Sequence, residues 1–226
     1  MQSLILLSSG LLAAPLADAL RRFNPGLLIV CVGDREELRN AFETAGRFDR
    51  LVAFCTDTIV PAPLLASLAG PAYNLHPAPP DYPGSHPASF AIYEGVTRFG
   101  ATAHEMIERV DAGPIVDVEW FDVPPGTGVL ALEDRAGEAA AHLFWRLAPM
   151  LADCSRRLPT GPLRWGPRKT TKKDFRAMGV LDPAISAEEF ERRWRAFAAR
   201  DPSVMQVVLH GRRFTLAELP PPESEV

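Results

Sequence analysis

The stretch AYNLHPAPPDYPGSHPASF, residues 72–90, ends a short apolar run in an asparagine and a histidine two residues apart, then crowds five prolines into residues 77–87. Side chains alternate along an extended strand, so Asn74 and His76 project to one side and Leu75 to the other. An amide and an imidazole side by side can both donate hydrogen bonds to one oxygen atom, which is the requirement of an oxyanion site. The same N-x-H pattern also arises where an asparagine closes a turn and a histidine packs against prolines. Pro77, Pro79, Pro80 and Pro83 fix φ in the loop behind the pair and so preset its backbone.

Working outward, the first hundred residues alternate short β-type runs with helical ones, as parallel strands joined by crossovers require. The pattern predicts a strand over 3–8, a helix over 11–23 closed by the turn NPG (24–26), and a fully buried strand LLIVCV (27–32). A helix capped by Asp34 follows to about 46. RLVAFC (50–55) is the third strand, 60–69 a short helix, and PAYNL (71–75) the fourth strand. Residues 86–97 read as helix, and GATAHEM and GPIVDVEWFDV as two strands joined around ERVDA with antiparallel or mixed pairing. Apolar residues spaced three and four apart over 128–153 predict one long amphipathic helix.

The fold expected is α/β, a Rossmann-like mostly parallel sheet with helices on both faces, with ligand sites at the carboxyl ends of its strands. Residues 1–154 would form this catalytic domain. Residues 155–226 would add a basic linker and a small C-terminal α+β appendage, a helix-hairpin subdomain. Within 155–176 there are eight Lys/Arg against one Asp, a local charge of +7 in a loop broken by Gly and Pro. By composition that is solvated charge; functionally it could hold a phosphate-bearing acceptor or the acceptor stem of a tRNA. The segment 186–199 opens with the capping box Ser186 to Glu189, and 204–216 reads as a hairpin turning near Gly211. The tail PPPESEV is expected to be disordered, and no internal repeat is visible.

A chain of 226 residues can bury a full core, and its formal charge of −4 argues against a nucleic-acid binder covered in positive charge. The 22 prolines exceed the usual share of roughly 5% about twofold, which points to many fixed loops. Cys31, Cys55 and Cys154 are odd in number and fit no CxxC spacing, so buried, inert thiols in a reducing compartment are expected. The apolar N-terminus lacks a basic n-region and is broken by serine, glycine and proline; strand then helix fits it better than a signal peptide. No run approaches the roughly 18 apolar residues of a membrane span, so a cytoplasmic protein is expected.

In ERVDAGPIV, the run D-A-G-P is a turn by composition. It lies between two strands of the same sheet as Asn74, so the Asp111 carboxylate could approach His76, raise its pKa and form a proton-shuttling pair. NLHPAPPDYPG followed by GATAHEMIERVDAGPIV resembles the formyltransferases that use 10-formyltetrahydrofolate, in which an N-x-H-P strand end precedes G-x-T-x-H/M and a D-x-G-P turn. The resemblance runs in order over about residues 48–153 and more loosely over 164–216. It implies a catalytic trio of Asn74, His76 and Asp111. It also implies a folate site with Phe54, Thr56, Asp57, Thr58 and Ile59 from one loop and Asp111, Ala112 and Gly113 from the other. Tyr82, His86 and His104 are the candidates on the acceptor side. The chain departs from the family where it has APPDYPGS and in a shorter segment before Asn74.

The expected reaction is transfer of a formyl group from 10-formyltetrahydrofolate, a co-substrate, to the amine of a small-molecule acceptor such as a nucleotide-linked amino sugar. Hydrolysis of the donor, formylation of methionyl-tRNA, and folate binding without turnover are the alternatives. His104 shares a face with Thr102 and Met106 and is either an acceptor-binding residue or a buried histidine satisfied by a partner; His86 is open in the same way. A zinc site from His76, His86 and Asp111 matches no usual ligand spacing, so no metal is expected. The oligomeric state, a homodimer among the options, is not set by the sequence.

Overall fold

The computed structural model describes residues 1–8 and 10–216; the tail PPPESEV lies outside them. Six strands form the main sheet: β1 (Ser3–Leu7), β2 (Leu28–Val32), β3 (Arg50–Phe54), β4 (Ala72–His76), β5 (Arg98–Glu105) and β6 (Ile115–Asp122). Their order is β2-β1-β3-β4-β5-β6. The first four run parallel, and β5 and β6 are antiparallel to their neighbours. Strand ends of β1, β3 and β4 therefore point the same way, and Asn74 and His76 sit at that end.

Because successive side chains point to opposite faces, the run Leu4–Leu7 serves two cores at once. Leu4 and Leu6 pack with α1 (Ala13–Phe23) and α5 (Val129–Ala152) through Leu16, Leu20, Leu143 and Phe144. Ile5 and Leu7 pack on the other face with Leu38 and Phe42 of α2 (Arg35–Ala45). Asp34 caps α2 by accepting the backbone N–H groups of Glu36 and Glu37. The short α3 (Ala62–Ser67) links β3 to β4, and α4 (Pro87–Glu94) follows the proline loop.

The strand predicted to be fully buried, β2, is the sheet edge. Leu28 is 52% exposed and Cys31 is exposed too. An unbroken apolar run is fully buried only where strands flank it on both edges and helices cover both faces, and β2 has one neighbouring strand. Of the three thiols expected to be buried, Cys154 is buried, Cys55 half-buried and Cys31, on this edge, exposed. Burial nonetheless raises all three thiols, Cys55 to about 12 and Cys154 to about 11, which keeps them protonated and unreactive.

The basic segment is shorter as a loop than its composition suggests, because α6 (Lys172–Gly179) starts inside it. Thr171 and Asp174 form a reciprocal capping box there. A second sheet, β7 (Val180–Leu181), β8 (Gln206–Leu209) and β9 (Arg212–Thr215), and α7 (Ala187–Phe197) complete the described residues. Ser186 caps α7 by accepting the Glu189 N–H, while the Glu189 carboxylate accepts bonds from Tyr93 and Arg193. His210 and Gly211 both take positive φ, 49° and 75°, as a two-residue hairpin turn requires. The appendage does not hang free. Leu181, Ala196, Phe197 and Met205 share one buried cluster with Phe90 of α4 and Leu132 of α5.

One buried charge fixes how α5 hands the chain on. Arg50 is 0% exposed. Its Nη1 donates to the carbonyls of Met150, Leu151 and Asp153 at 2.8, 3.0 and 3.1 Å, its Nη2 donates to that of Arg156, and its guanidinium lies 5.1 Å from the Tyr73 ring centre. Met150 and Leu151 lie in the last turn of α5, whose carbonyls a helix end leaves without partners at the negative end of its dipole, and Asp153 and Arg156 follow it. Arg50→Met should therefore lower the unfolding free energy by about 3 kcal/mol or more, since several buried carbonyls lose their donor together. Urea denaturation checks this; a loss under about 1 kcal/mol would show that water replaces the guanidinium.

Candidate active site

The antiparallel pairing of β4 with β5 sets Asn74 opposite His104 and His76 opposite Thr102. Asn74 Nδ2 lies 3.2 Å from His104 Nε2. Thr102 donates its hydroxyl to the Ala78 carbonyl at 2.7 Å, tying the proline loop to β5. That loop turns twice within itself, Ala78 N–H to the His76 carbonyl and Tyr82 N–H to the Pro79 carbonyl. Gly84 follows at φ 102°, a conformation that favours glycine, and a Cβ there would stand 2.1 Å from the Thr170 carbonyl oxygen.

The β5–β6 turn brings the third group. A Cβ at Gly113 would stand 1.9 Å from the Glu105 carbonyl oxygen, so only glycine permits the turn to fold back this closely. Asp111 adopts φ 48° and is buried. Its Oδ2 accepts the Gly84 N–H at 2.9 Å and lies 3.9 Å from His76 Nε2; its Oδ1 lies 3.5 Å from His104 Nε2. Two stretches separated in sequence are thus joined by one carboxylate. Cys55, His86 and Asp111 all hold left-handed φ and all line the same cleft, and such strain persists only where the surroundings enforce it.

The electrostatics follow from burial and from this geometry. Burial pushes the Asp111 carboxyl up, but His76, His104 and the Gly84 N–H together outweigh it and bring the group down to about 2. For His76 the contest ends the other way. Burial pulls it below its ordinary value, and the Asp111 charge only partly offsets that. The expected rise in the His76 pKa is therefore corrected: in this pocket loss of hydration outweighs the neighbouring anion. His76 Nε2 faces the Tyr82 carbonyl at 3.4 Å, which can only accept, so Nε2 carries the proton in the neutral ring. His104 Nδ1 donates to the Glu105 carbonyl at 3.0 Å, which leaves its Nε2 for Asn74. Among the described residues, the other end of the Asn74 amide, Oδ1, is buried with no partner.

A cleft of about 670 Å³ opens on these groups. Thr56, Asp57, Thr58 and Ile59 line it, as do Asn74, His76, His86, His104 and Asp111. Phe54 does not: its ring is buried against Phe144. Nor does Tyr82, whose hydroxyl donates to Glu94 and whose ring packs on Phe99. Ala112 and Gly113 are also outside the lining, and Gly113 uses its carbonyl to accept the Trp165 indole N–H at 2.8 Å. Among the described residues, no group of three or more His, Cys, Asp or Glu is placed to hold a metal ion.

The formyl transferase family model matches residues 41–147, a span that includes Asn74, His76, His104 and Asp111. Over that span the chain is similar to the formyl transferase family. Three solved structures share the fold of this chain. A candidate sugar N-formyltransferase from Mycobacterium tuberculosis is 22% identical, with 99% of each chain covered and a TM-score of 0.72. A sugar N-formyltransferase from Shewanella is 18% identical, with 98% of this chain and 100% of that one covered and a TM-score of 0.70. The N-formyltransferase of Helicobacter canadensis, solved with folinic acid and dTDP-3-aminofucose, is 13% identical, with 93% and 85% covered and a TM-score of 0.65. At these identities the likeness is one of fold.

The cleft also contains residues that the sequence does not single out. Lys169, Lys172, Arg200 and Glu133 line it, with Arg200 paired to Glu133. The +7 run signals the two lysines only as part of a charged segment; Arg200 and Glu133 carry no sequence signal. Folding brings His86 onto the face of Phe175, ring centres 3.9 Å apart, next to Lys172.

The carboxylate and imidazole give a pH signature with one sign. His76, depressed by burial, must charge on unfolding, so stability falls as pH drops below about 6.5. Asp111, depressed to about 2, adds stability that is fully present above the unfolded value of about 3.9 and is lost as pH falls through its folded value. Urea unfolding of the native protein and Asp111→Asn should differ by about 2 kcal/mol at pH 6, and the gap should close below pH 4. A gap that stays constant down to pH 3 would contradict the depressed carboxyl.

Proposed function

We propose that this formyltransferase moves the formyl group of 10-formyltetrahydrofolate to the amine of a small-molecule acceptor, a nucleotide-linked amino sugar. The single observation that carries this reading is the buried, unpartnered end of the Asn74 amide, set in the cleft beside His76 and Asp111. An amide end left unpaired in a buried site costs free energy, which is recovered when a ligand bonds to the amide atom that stands there.

The residues present suit the folate donor. The loop 56–59 offers backbone N–H and C=O groups along one part of the cleft, and a pterin ring presents both donors and acceptors. When bound, the donor supplies the formyl carbon and a nitrogen leaving group. Asn74 and His76 then hold the formyl oxygen as negative charge develops on it. Asn74 donates from its free end once the amide makes a half-turn, which places Oδ1 on His104 and requires a proton on His104 Nε2. Asp111 Oδ1, 3.5 Å from that nitrogen, stabilises the resulting charge. The acceptor amine forms the new carbon–nitrogen bond, the bond to the folate nitrogen breaks, and Asp111 with His76 carries the amine proton to that departing nitrogen. Atoms and charge balance without a covalent enzyme intermediate.

For the acceptor, the support is the cationic lining. Lys169 and Lys172 come from the basic segment, Arg200 from beyond α7, and together they suit phosphoryl oxygens. The structural relative solved with a nucleotide-linked amino sugar agrees in fold.

Incubation with 10-formyltetrahydrofolate and separate amines (nucleotide-linked amino sugars, glycinamide ribonucleotide, methionyl-tRNA) followed by mass spectrometry should show one formyl mass gained by an amino sugar nucleotide. Asn74→Ala and His76→Ala should each slow turnover by about a hundredfold or more. Formate released without any amine would make the protein a hydrolase, and formylation of the tRNA alone would overturn the acceptor assignment.

A further inference from the structure

Between α5 and α6 the chain runs in irregular backbone. A stretch of Arg, Lys, Gly and Pro would by composition be solvated, yet its polar groups bond to the elements that carry the site. Leu158 donates its N–H to the Tyr73 hydroxyl at 2.8 Å, and Gly161 donates to the Ile115 carbonyl at 2.8 Å. Lys169 Nζ reaches the Val110 carbonyl at 2.8 Å. Thr170 exchanges backbone bonds with the proline loop at Pro83 and Ser85.

Trp165 and Gly166 are the point where this segment grips both catalytic stretches. The Trp165 indole donates to the Gly113 carbonyl, two residues past Asp111, and the next residue donates its N–H to the Pro80 carbonyl at 2.9 Å. The indole also packs against the two imidazoles, 4.9 Å from the ring centre of His104 at 90° and 6.2 Å from that of His76 at 60°. Trp165 is not among the residues that line the cleft. Its ring touches two histidines that line the cleft and its N–H bonds the turn that carries Asp111, and through them it can act on the site.

We propose that Trp165 is a positioning residue for Asn74, His76 and Asp111: its ring fixes the two histidines while its N–H pins the turn that presents the carboxylate. The proposal rests on the formyl-transfer reading for its kinetic consequence and on geometry alone for its structural one. Asp111 sits at φ 48°, a strained conformation that lasts only while neighbours enforce it. Three bonds hold the turn from outside: Gly84 to the carboxylate, Lys169 to Val110, and Trp165 to Gly113. Removing the last lets the turn relax, and a misplacement of about 1 Å can cost about a hundredfold in rate. Removing the ring admits water to His76, whose polar and charged neighbours are Asp111 from the β5–β6 turn, His104 from β5, Lys169 from the basic segment and the Tyr82 carbonyl.

Two variants separate the ring from the N–H. Trp165→Phe keeps an aromatic ring without the donor, and Trp165→Ala removes both. Turnover of the native protein and both variants is measured with the donor and the preferred acceptor, alongside imidazole titrations by nuclear magnetic resonance, assigned with His76→Gln and His104→Gln. Expected are a kcat about tenfold lower for Phe and about a hundredfold lower for Ala, with KM changed less than about threefold. The His76 titration midpoint should rise toward its ordinary value in the alanine variant. A folded alanine variant with native kcat and a native His76 midpoint would overturn the proposal, as would a raised KM with kcat unchanged. If the alanine variant does not fold, the phenylalanine variant decides by its kcat. If the native protein transfers no formyl group at all, the titrations still decide whether Trp165 holds the histidines.

Discussion

The site depends on one hydrogen bond, from the Gly84 N–H to the Asp111 carboxylate. It spans 27 residues of sequence and joins the proline loop after β4 to the turn between β5 and β6. Each partner is committed to it by backbone geometry. Gly84 takes a positive φ in a space that no Cβ could enter, and Asp111 accepts a strained φ that brings its carboxylate inward. The same carboxylate then serves two histidines, so the electrostatic and the structural roles cannot be separated. A charge-assisted bond of this kind in a low-dielectric setting is worth more than an exposed one, and its loss strands a buried charge.

Burial and charge pull the site in opposite directions, and magnitude decides each contest. For Asp111, two imidazoles and a backbone donor outweigh desolvation. For His76, one carboxylate does not. The result is an ionised acid beside a histidine that is neutral at ordinary pH, a pair able to accept and return a proton without a large rearrangement. The sheet supplies the rigidity this needs. Arg50 binds the end of α5 from within β3, so the basic segment leaves that helix in a fixed direction and reaches the proline loop and the β5–β6 turn as a strap.

Much of this is legible in the sequence because it depends on short-range pattern. Period-two alternation puts Asn74 and His76 on one side, and D-A-G-P reads as a turn whose glycine permits close approach. The long apolar periodicity of α5 and the Asp34 cap are equally local. What is not legible depends on long-range placement. The run Leu28–Val32 looks like a central strand, but its neighbour count is a property of the sheet order. The charge run before α6 looks solvated, but its donors are consumed by loops some 50 to 90 residues upstream, Trp165 to Gly113 and Gly166 to Pro80 among them. The direction of the His76 shift needs the depth of burial as well as the presence of Asp111, and only the first is hidden in the chain. Phe54 ends β3 and Tyr82 lies in the proline loop, both close in sequence to cleft residues, yet they spend their side chains on packing and on Glu94.

The central claim is that His76 and Asp111 work as one unit. A double-mutant cycle on kcat/KM for formyl transfer, with His76→Ala, Asp111→Ala and the combined variant, tests it most directly. If the two form a unit, the combined variant should be no slower than the slower single one, because either removal already disables the pair. Losses that multiply across the cycle would contradict it and leave Asp111 a turn residue beside an independent histidine.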